Sequence, residues 1–141
     1  MASSKQIWNK ELLEKSKKEW EGFKKSYNKA KPQTAFGVTQ LTMTTDFADL
    51  CWNLMLVFAY GVFQQILKYL RDDGVFDSKS SNLGPLIQNS KVALNWQNYN
   101  YIWEGKEKRD KIAHEADYIK RKECWDYIEA IDIELKTWRV I

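Results

Sequence analysis

The sequence predicts an all-α protein, a bundle of four to five antiparallel helices that forms one domain over residues 1–141. Three observations favour this class. Only two prolines and six glycines interrupt the 141 residues, which disfavours turn-rich β architectures. Apolar residues recur at helical spacing in several long segments. Hydrophobic residues make up 44% and charged residues 29% of the chain, which is typical of a globular domain with its own core.

The first helix is predicted to cover roughly residues 4–30. Ser3 and Gln6 have the spacing of a capping box, and Pro32 is expected to end the helix. Residues 1–31 contain nine lysines and four glutamates, and nine minus four leaves a net charge of +5. This positive segment is either a solvated helix face or a means of attracting a polyanion such as RNA.

A second helix is predicted from Thr44 or Thr45, as N-cap, to about Leu70. Its apolar residues occupy nearly the whole circumference, so it is expected to be the central and most buried helix. Gly74 is the candidate left-handed residue that ends it. The apolar run at residues 54–63 is too short to cross a bilayer, so no membrane partner is expected.

The next part of the chain is divided by glycine and proline. After a loop at residues 74–84, a third helix is predicted with Pro85 in its first turn, continuing to about residue 96. The segment that follows, residues 97–103, either extends or bends this helix. Gly105 is predicted to break the helical structure before another helix begins.

The last helix is predicted from about Ile119 to Trp138. Its acidic side chains are expected to form a solvated face: Glu123, Asp126, Glu129, Asp132 and Glu134. The tryptophans are expected to belong mainly to the core, with base stacking as the alternative. They are Trp8, Trp20, Trp52, Trp96, Trp103, Trp125 and Trp138.

Cofactor and metal sites are not expected. Cys51 and Cys124 lack any paired spacing and lie in apolar helical contexts, which predicts buried free thiols in a reducing, cytoplasmic compartment. With one histidine in the chain, a zinc site is disfavoured. The sequence contains no glycine-rich phosphate loop and no serine-hydrolase or zinc-protease motif.

The stretch RDKIAHE, from Arg109 to Glu115, contains the only histidine, His114. On a helix, Asp110 and His114 are four residues apart and share a face, so the carboxylate is expected to orient the imidazole. Arg109 lies about 140° around the helix from His114. Either the long arginine side chain reaches around the helix, or a second copy of the helix supplies the complementary half. A two-fold dimer would do the latter, because such an interface presents the same surface twice.

Arginine and histidine suit phosphodiester chemistry. A guanidinium group binds phosphate oxygens in a fixed fork. Imidazole transfers protons near neutral pH, either from a ribose 2′-hydroxyl or to the leaving oxygen. Because the substrate's own hydroxyl is the nucleophile, this chemistry requires no metal.

The segment from Arg109 to His114 resembles the R-polar-x3-H signature of HEPN domains, small all-α domains that carry it ahead of their last helix. The resemblance implies a homodimeric, metal-independent endoribonuclease of toxin or antiviral type, with an antitoxin or regulatory protein as a further partner. It assigns Arg109 and His114 as the catalytic pair and Asp110 as their supporting polar residue. The neighbouring Lys108 and Lys111 are predicted to bind RNA.

The sequence departs from one pattern of the family. Members that pair with a nucleotidyltransferase antitoxin commonly carry H-x-Y, whereas residue 116 is alanine here. Two readings of the motif stay open. It is either the nuclease site, or a set of ordinary surface pairs, Asp110–His114 and Lys111–Glu115, on a non-catalytic module that binds a partner protein or a nucleotide.

Overall fold

The computed structural model describes residues 9–32, 45–115 and 117–141. Within these ranges the chain forms five helices and no strands, which confirms the all-α class. The helices are α1 (Lys10–Pro32), α2 (Thr45–Asp72), α3 (Leu83–Asn89), α4 (Tyr99–Glu115) and α5 (Arg121–Thr137). Helix α2 lies at the centre and packs against all the others. None of the described helices is both long and apolar enough to span a bilayer.

Helix α2 supplies much of the core, as its apolar pattern predicts. Its fully buried side chains include Leu56, Tyr60, Phe63, Ile66, Leu67 and Leu70. One face of α2 is nevertheless exposed, with Leu54 63% and Phe58 62% exposed. The described helices pack around α2 without covering this face.

The end of α2 follows the predicted glycine cap. Gly74 adopts a φ of 84°, a left-handed conformation that glycine adopts without steric cost. Its N–H donates to the Arg71 carbonyl, and the Val75 N–H reaches back to the Leu70 carbonyl, both at 3.0 Å. This pair of bonds is a Schellman motif, so Gly74 ends α2 as predicted.

Helix α1 begins later than predicted. Asn9 lies outside the helix and caps it, because its side-chain oxygen accepts the backbone N–H of Glu11 at 2.9 Å. The predicted capping box at Ser3 and Gln6 lies outside the described residues. The helix continues to Pro32, close to the predicted end.

The predicted third helix is too long. Helix α3 ends at Asn89, and the Ser90 hydroxyl donates to the Ile87 carbonyl at 2.9 Å. A separate helix, α4, then begins at Tyr99. Its start depends on a distant residue, which a local pattern does not reveal.

That residue is Glu134 on α5. Its fully buried carboxylate accepts the backbone N–H groups of Gln97 and Asn98, both at 2.7 Å. These N–H groups precede α4, where a helix leaves donors unpaired and favours negative charge. Burial raises the pKa of Glu134, and the two backbone donors offset only part of that rise.

The prediction of a solvated acidic face on α5 is therefore wrong for two of its five residues. Besides Glu134, Asp132 is buried, with its carboxylate accepting the Trp20 indole N–H at 2.9 Å and pairing with Lys136 at 2.8 Å. Burial acts to raise the pKa of Asp132, but these bonds and the Lys24 charge outweigh it and lower the pKa. The buried acids thus connect α5 to α1 and to the start of α4.

The predicted break at Gly105 is also wrong, because α4 runs through it without interruption. This glycine permits a close approach between helices. A Cβ atom there would lie 2.8 Å from the Tyr127 ring of α5 and would overlap the Tyr60 hydroxyl of α2. That hydroxyl donates to the Ile102 carbonyl of α4 at 2.9 Å. Gly105 is therefore a packing residue inside a helix.

The tryptophans and cysteines lie largely as predicted. Trp20, Trp52 and Trp138 are buried, and Trp96, Trp103 and Trp125 pack partly buried against the core; Trp8 lies outside the described residues. Both cysteines are free thiols. Cys124 is buried, and burial raises its pKa to about 12, whereas Cys51 is only partly buried.

Replacing Gly105 with alanine is expected to destabilise the protein by about 1–3 kcal/mol, the usual cost of overpacking a core. Gly61→Ala on α2 is the matched control, because a Cβ atom there meets nothing within 4 Å. That control should instead stabilise by about 0.5–1 kcal/mol, since alanine is the better helix former. Urea unfolding of both variants measures the difference. Equal effects would contradict the close approach at Gly105.

Replacing Glu134 with alanine is expected to cost about 2–4 kcal/mol, because two backbone donors lose a charged acceptor. Hydrogen exchange should accelerate at the amides of Gln97 and Asn98 and in the first turn of α4. Glu107→Ala, an exposed change on α4, should alter stability by less than about 0.5 kcal/mol. Unchanged exchange at Gln97 and Asn98 in the Glu134→Ala protein would show that the carboxylate does not hold the helix start.

Candidate functional site

The predicted site residues lie on the last turns of α4, downstream of the close approach at Gly105. The sequence there, KEKRDKIAHE, consists largely of good helix formers, which explains why the helix continues to Glu115. Packing at Gly105 sets the rotation of α4, so the residues that follow divide between a buried and an exposed face. The Arg109 side chain is only 21% exposed, whereas His114 is exposed.

The Arg109 side chain is partly buried, and one of its hydrogen-bond donors has no acceptor in the described part of the chain. Its Nη1 donates to Asp110 Oδ1 at 2.7 Å. Its Nε is buried and has no hydrogen-bond partner in the described part of the chain. The guanidinium charge acts to lower the pKa of Tyr60, although burial dominates and raises that pKa well above its usual value. An unpaired buried donor is costly, and its burial keeps this Nε out of contact with solvent.

Asp110 does not pair with His114, contrary to the prediction. One carboxylate oxygen accepts from Arg109, and the other lies 2.8 Å from Lys106 Nζ. Lys106 is one turn earlier on the same face and occupies this oxygen as an ion pair. Burial acts to raise the pKa of Asp110, but the hydrogen bonds and charges of these two cations outweigh it and lower the pKa.

His114 occupies the last turn of α4. Its side chain makes no hydrogen bond to any residue in the described ranges, and none joins it to Arg109. The partly buried Arg109 and the exposed His114 agree with the angular separation expected from their spacing. The single chain therefore does not assemble the two predicted catalytic side chains into one site.

The two lysines predicted to bind RNA have different environments. Lys108 forms an ion pair of 3.0 Å with Asp117, just beyond α4. The backbone N–H of Tyr118 and this ion pair are the main causes that lower the pKa of Asp117. Lys111 is exposed and has no ion pair within the described residues. The ion pair of Lys108 thus stabilises the turn after the motif, whereas the Lys111 side chain is exposed to solvent.

Asn53 on α2 is a positioning residue that the sequence did not single out as part of the site. Its side chain donates to the Asp117 carbonyl at 3.0 Å and accepts from the Ile119 N–H at 2.9 Å. It is 6% exposed, so these bonds satisfy a buried amide. Asn53 therefore fixes the turn between α4 and α5, close to His114.

A shallow apolar groove, here called the α2–α4 groove, borders the motif. It has a volume of about 380 Å³. Its walls are Asn53, Leu54, Val57, Ile112, Ala113, Asp117 and Tyr118. Two of these residues, Ile112 and Ala113, belong to the motif itself, and the exposed Leu54 and Tyr118 flank them. The sequence did not predict this groove. Apolar residues occur on nearly every side of α2, so their pattern does not indicate which face the other described helices leave uncovered.

Within the described ranges, no group of three or more His, Cys, Asp or Glu side chains is arranged to hold a metal ion. Comparison with protein-family models, curated proteins and solved structures finds no match to this chain. The geometry of α4 and its surroundings is therefore the basis for assigning a function.

The ion network at Asp110 is expected to depend on pH and on Lys106. Because the folded-state pKa of Asp110 is lowered, its stabilising contribution is present above the unfolded value of about 3.9 and is lost as the pH falls through the folded value. Lys106→Met should raise the pKa of Asp110, measured by NMR titration of its carboxyl carbon. Lys122→Met, which breaks a similarly spaced pair with Asp126, should leave it unchanged. No difference between the two variants would contradict the network.

Proposed function

We propose that this protein is a metal-independent endoribonuclease of HEPN type that acts as a two-fold homodimer. The observation that carries the proposal is the arrangement of the R-polar-x3-H motif on α4. Arg109 is partly buried and binds Asp110 through one terminal nitrogen of its guanidinium, and His114 is exposed beside the apolar α2–α4 groove. Such a half-site becomes complete when a second copy supplies the other half.

The α2–α4 groove supports a location for the dimer axis. Leu54 and Tyr118 are 63% and 55% exposed, and large exposed apolar groups next to a functional motif are typical of interaction surfaces. A two-fold contact through this groove would bring two copies of α4 together near His114. The resulting cleft would contain two arginines and two histidines.

The reaction proposed for this cleft is transesterification within RNA. The ribose 2′-oxygen attacks the adjacent phosphorus, and the bond from phosphorus to the 5′-oxygen breaks. One His114 takes the 2′-hydroxyl proton, while the partner subunit's His114 protonates the departing 5′-oxygen. The products are a 2′,3′-cyclic phosphate and a free 5′-hydroxyl.

Arg109 would bind the scissile phosphate through the donors that Asp110 does not occupy. Asp110 then acts as a positioning residue, because it holds one terminal nitrogen of the guanidinium in a set direction. Lys111, exposed one turn from His114, is placed to contact the RNA backbone. Lys108, paired with Asp117, contributes by holding the turn. An antitoxin or regulatory protein in the cytoplasm would be a further partner of such a nuclease.

A second candidate is a non-catalytic helical module that binds a partner protein or a nucleotide. Two observations favour it. Asp110 already occupies part of the Arg109 guanidinium, and no acidic side chain orients His114 within the described residues. The two candidates differ in assembly and in activity, so the same purified protein distinguishes them.

The nuclease predicts RNA cleavage in the presence of a chelator, with cyclic phosphate ends. Arg109→Ala and His114→Ala should each slow cleavage by about 10² or more, the usual contribution of positioned acid–base or phosphate-binding groups. Glu107→Ala, an exposed change on the same helix, is the control. Cleavage that requires a metal, or that survives both substitutions, would overturn the proposal.

Mixing the two inactive variants tests whether the site is shared. If Arg109 and His114 act across the dimer, a mixed dimer retains one arginine and one histidine in the cleft, so one of the two proton transfers stays catalysed. Its cleavage rate should exceed that of the His114→Ala homodimer, which has no histidine, and stay below that of the unsubstituted protein. No recovery in proven mixed dimers would contradict a shared site. A strict monomer in sedimentation, together with absent cleavage, would favour the binding module.

A further inference from the structure

A second surface groove, here called the α1–α2 groove, lies between α1 and α2. Its volume is about 880 Å³, within the usual range of ligand-binding clefts. Its apolar floor includes Phe23, Val57, Phe58 and Val62. Phe58 is 62% exposed and stacks on the buried Phe23 with ring centroids 5.7 Å apart. A large aromatic ring held in place but largely uncovered indicates a contact surface.

Two glycines shape this groove, one on each helix. Gly22 of α1 and Gly61 of α2 both line it. A Cβ atom at either position would meet nothing within 4 Å, so packing inside the protein does not require these glycines. Glycine inside a helix lowers stability relative to alanine. Their effect is to keep the groove open and to allow another backbone to approach closely.

The charges along the groove are unevenly distributed. Lys15 and Lys18 line it, and neither has an acidic partner within 4 Å in the described part of the chain. The Lys15 ammonium lies 5.6 Å from the centre of the Tyr69 ring. The one acidic side chain in the lining, Glu19, accepts a hydrogen bond of 2.8 Å from the Tyr69 hydroxyl. One end of the groove is therefore basic, and the opposite end, at Phe23 and Phe58, is apolar.

We propose that the α1–α2 groove binds an amphipathic helix of a partner protein, with the partner's apolar face on Phe58 and Val62 and its acidic residues beside Lys15 and Lys18. A helix in a groove between two helices is a common mode of recognition. The apolar floor takes apolar side chains spaced three and four residues apart. Lys15 and Lys18, which have no acidic partner among the described residues, complement carboxylates. Two lysines over an apolar floor suit a protein better than RNA, which needs cations along its backbone.

Two synthetic helical peptides test this assignment. Both carry the same stripe of leucines at helical spacing; one has glutamates at its N-terminal end and C-terminal end, and the other has lysines there. The acidic peptide is expected to bind the full chain about tenfold more tightly in fluorescence anisotropy at low salt, because its carboxylates pair with Lys15 and Lys18. Lys15→Glu combined with Lys18→Glu should reverse the preference.

Two controls locate the binding. Lys17→Glu combined with Lys25→Glu changes the net charge equally on exposed positions of α1 outside the groove lining, and should preserve the preference for the acidic peptide. Gly61→Leu fills the groove without internal contacts and should weaken both peptides by about tenfold or more. Thermal unfolding confirms that the Gly61→Leu protein is folded.

Three results would overturn the proposal. Equal affinity for the two peptides would show that Lys15 and Lys18 do not select an acidic partner. Binding unaffected by Gly61→Leu would place the peptide elsewhere. Binding of a single-stranded RNA oligonucleotide that depends on Lys15 and Lys18, without peptide binding, would assign the groove to nucleic acid. The test measures peptide binding and not RNA cleavage, so its result does not depend on whether the protein is a nuclease.

Discussion

The close approach of three helices at Gly105 is the constraint on which the geometry of the motif depends. Because residue 105 has no side chain, α4 lies against Tyr60 of α2 and Tyr127 of α5. The Tyr60 hydroxyl donates to the Ile102 carbonyl, so the contact fixes both the distance and the rotation of α4. That rotation turns Arg109 toward the core and leaves His114 exposed. A different rotation would expose a different pair of side chains.

Buried polar side chains then hold the two ends of α4. Glu134 accepts the backbone N–H groups at residues 97 and 98, and Asn53 pairs with the backbone of the turn that follows the helix. A polar group taken out of water is costly unless it is hydrogen-bonded, so these bonds specify the arrangement as well as stabilise it. Helix α4 is thus positioned at its start, near its middle and after its end by residues far away in the chain.

Helical spacing predicted part of the candidate site and failed at one contact. The separation of Arg109 from His114 follows from their spacing, and the structure agrees with it. The expected Asp110–His114 pair does not form, because Lys106 and His114 lie four residues to either side of Asp110 and spacing alone does not choose between them. The Lys106 ammonium lies 4.6 Å from the centre of the Trp103 ring, so tertiary packing places it beside Asp110. Asp110 consequently binds both Lys106 and Arg109.

The sequence by itself determined the all-α class, the glycine cap of α2, the free thiols, the largely buried tryptophans and the position of the motif near the last helix. These properties follow from local spacing and composition, which act within a few residues. Only the tertiary structure decided that Gly105 continues a helix, that Asp132 and Glu134 are buried, and that the described helices leave one face of α2 uncovered. Each of these depends on residues distant in the chain, and an apolar or acidic pattern does not say which of its faces another helix will cover.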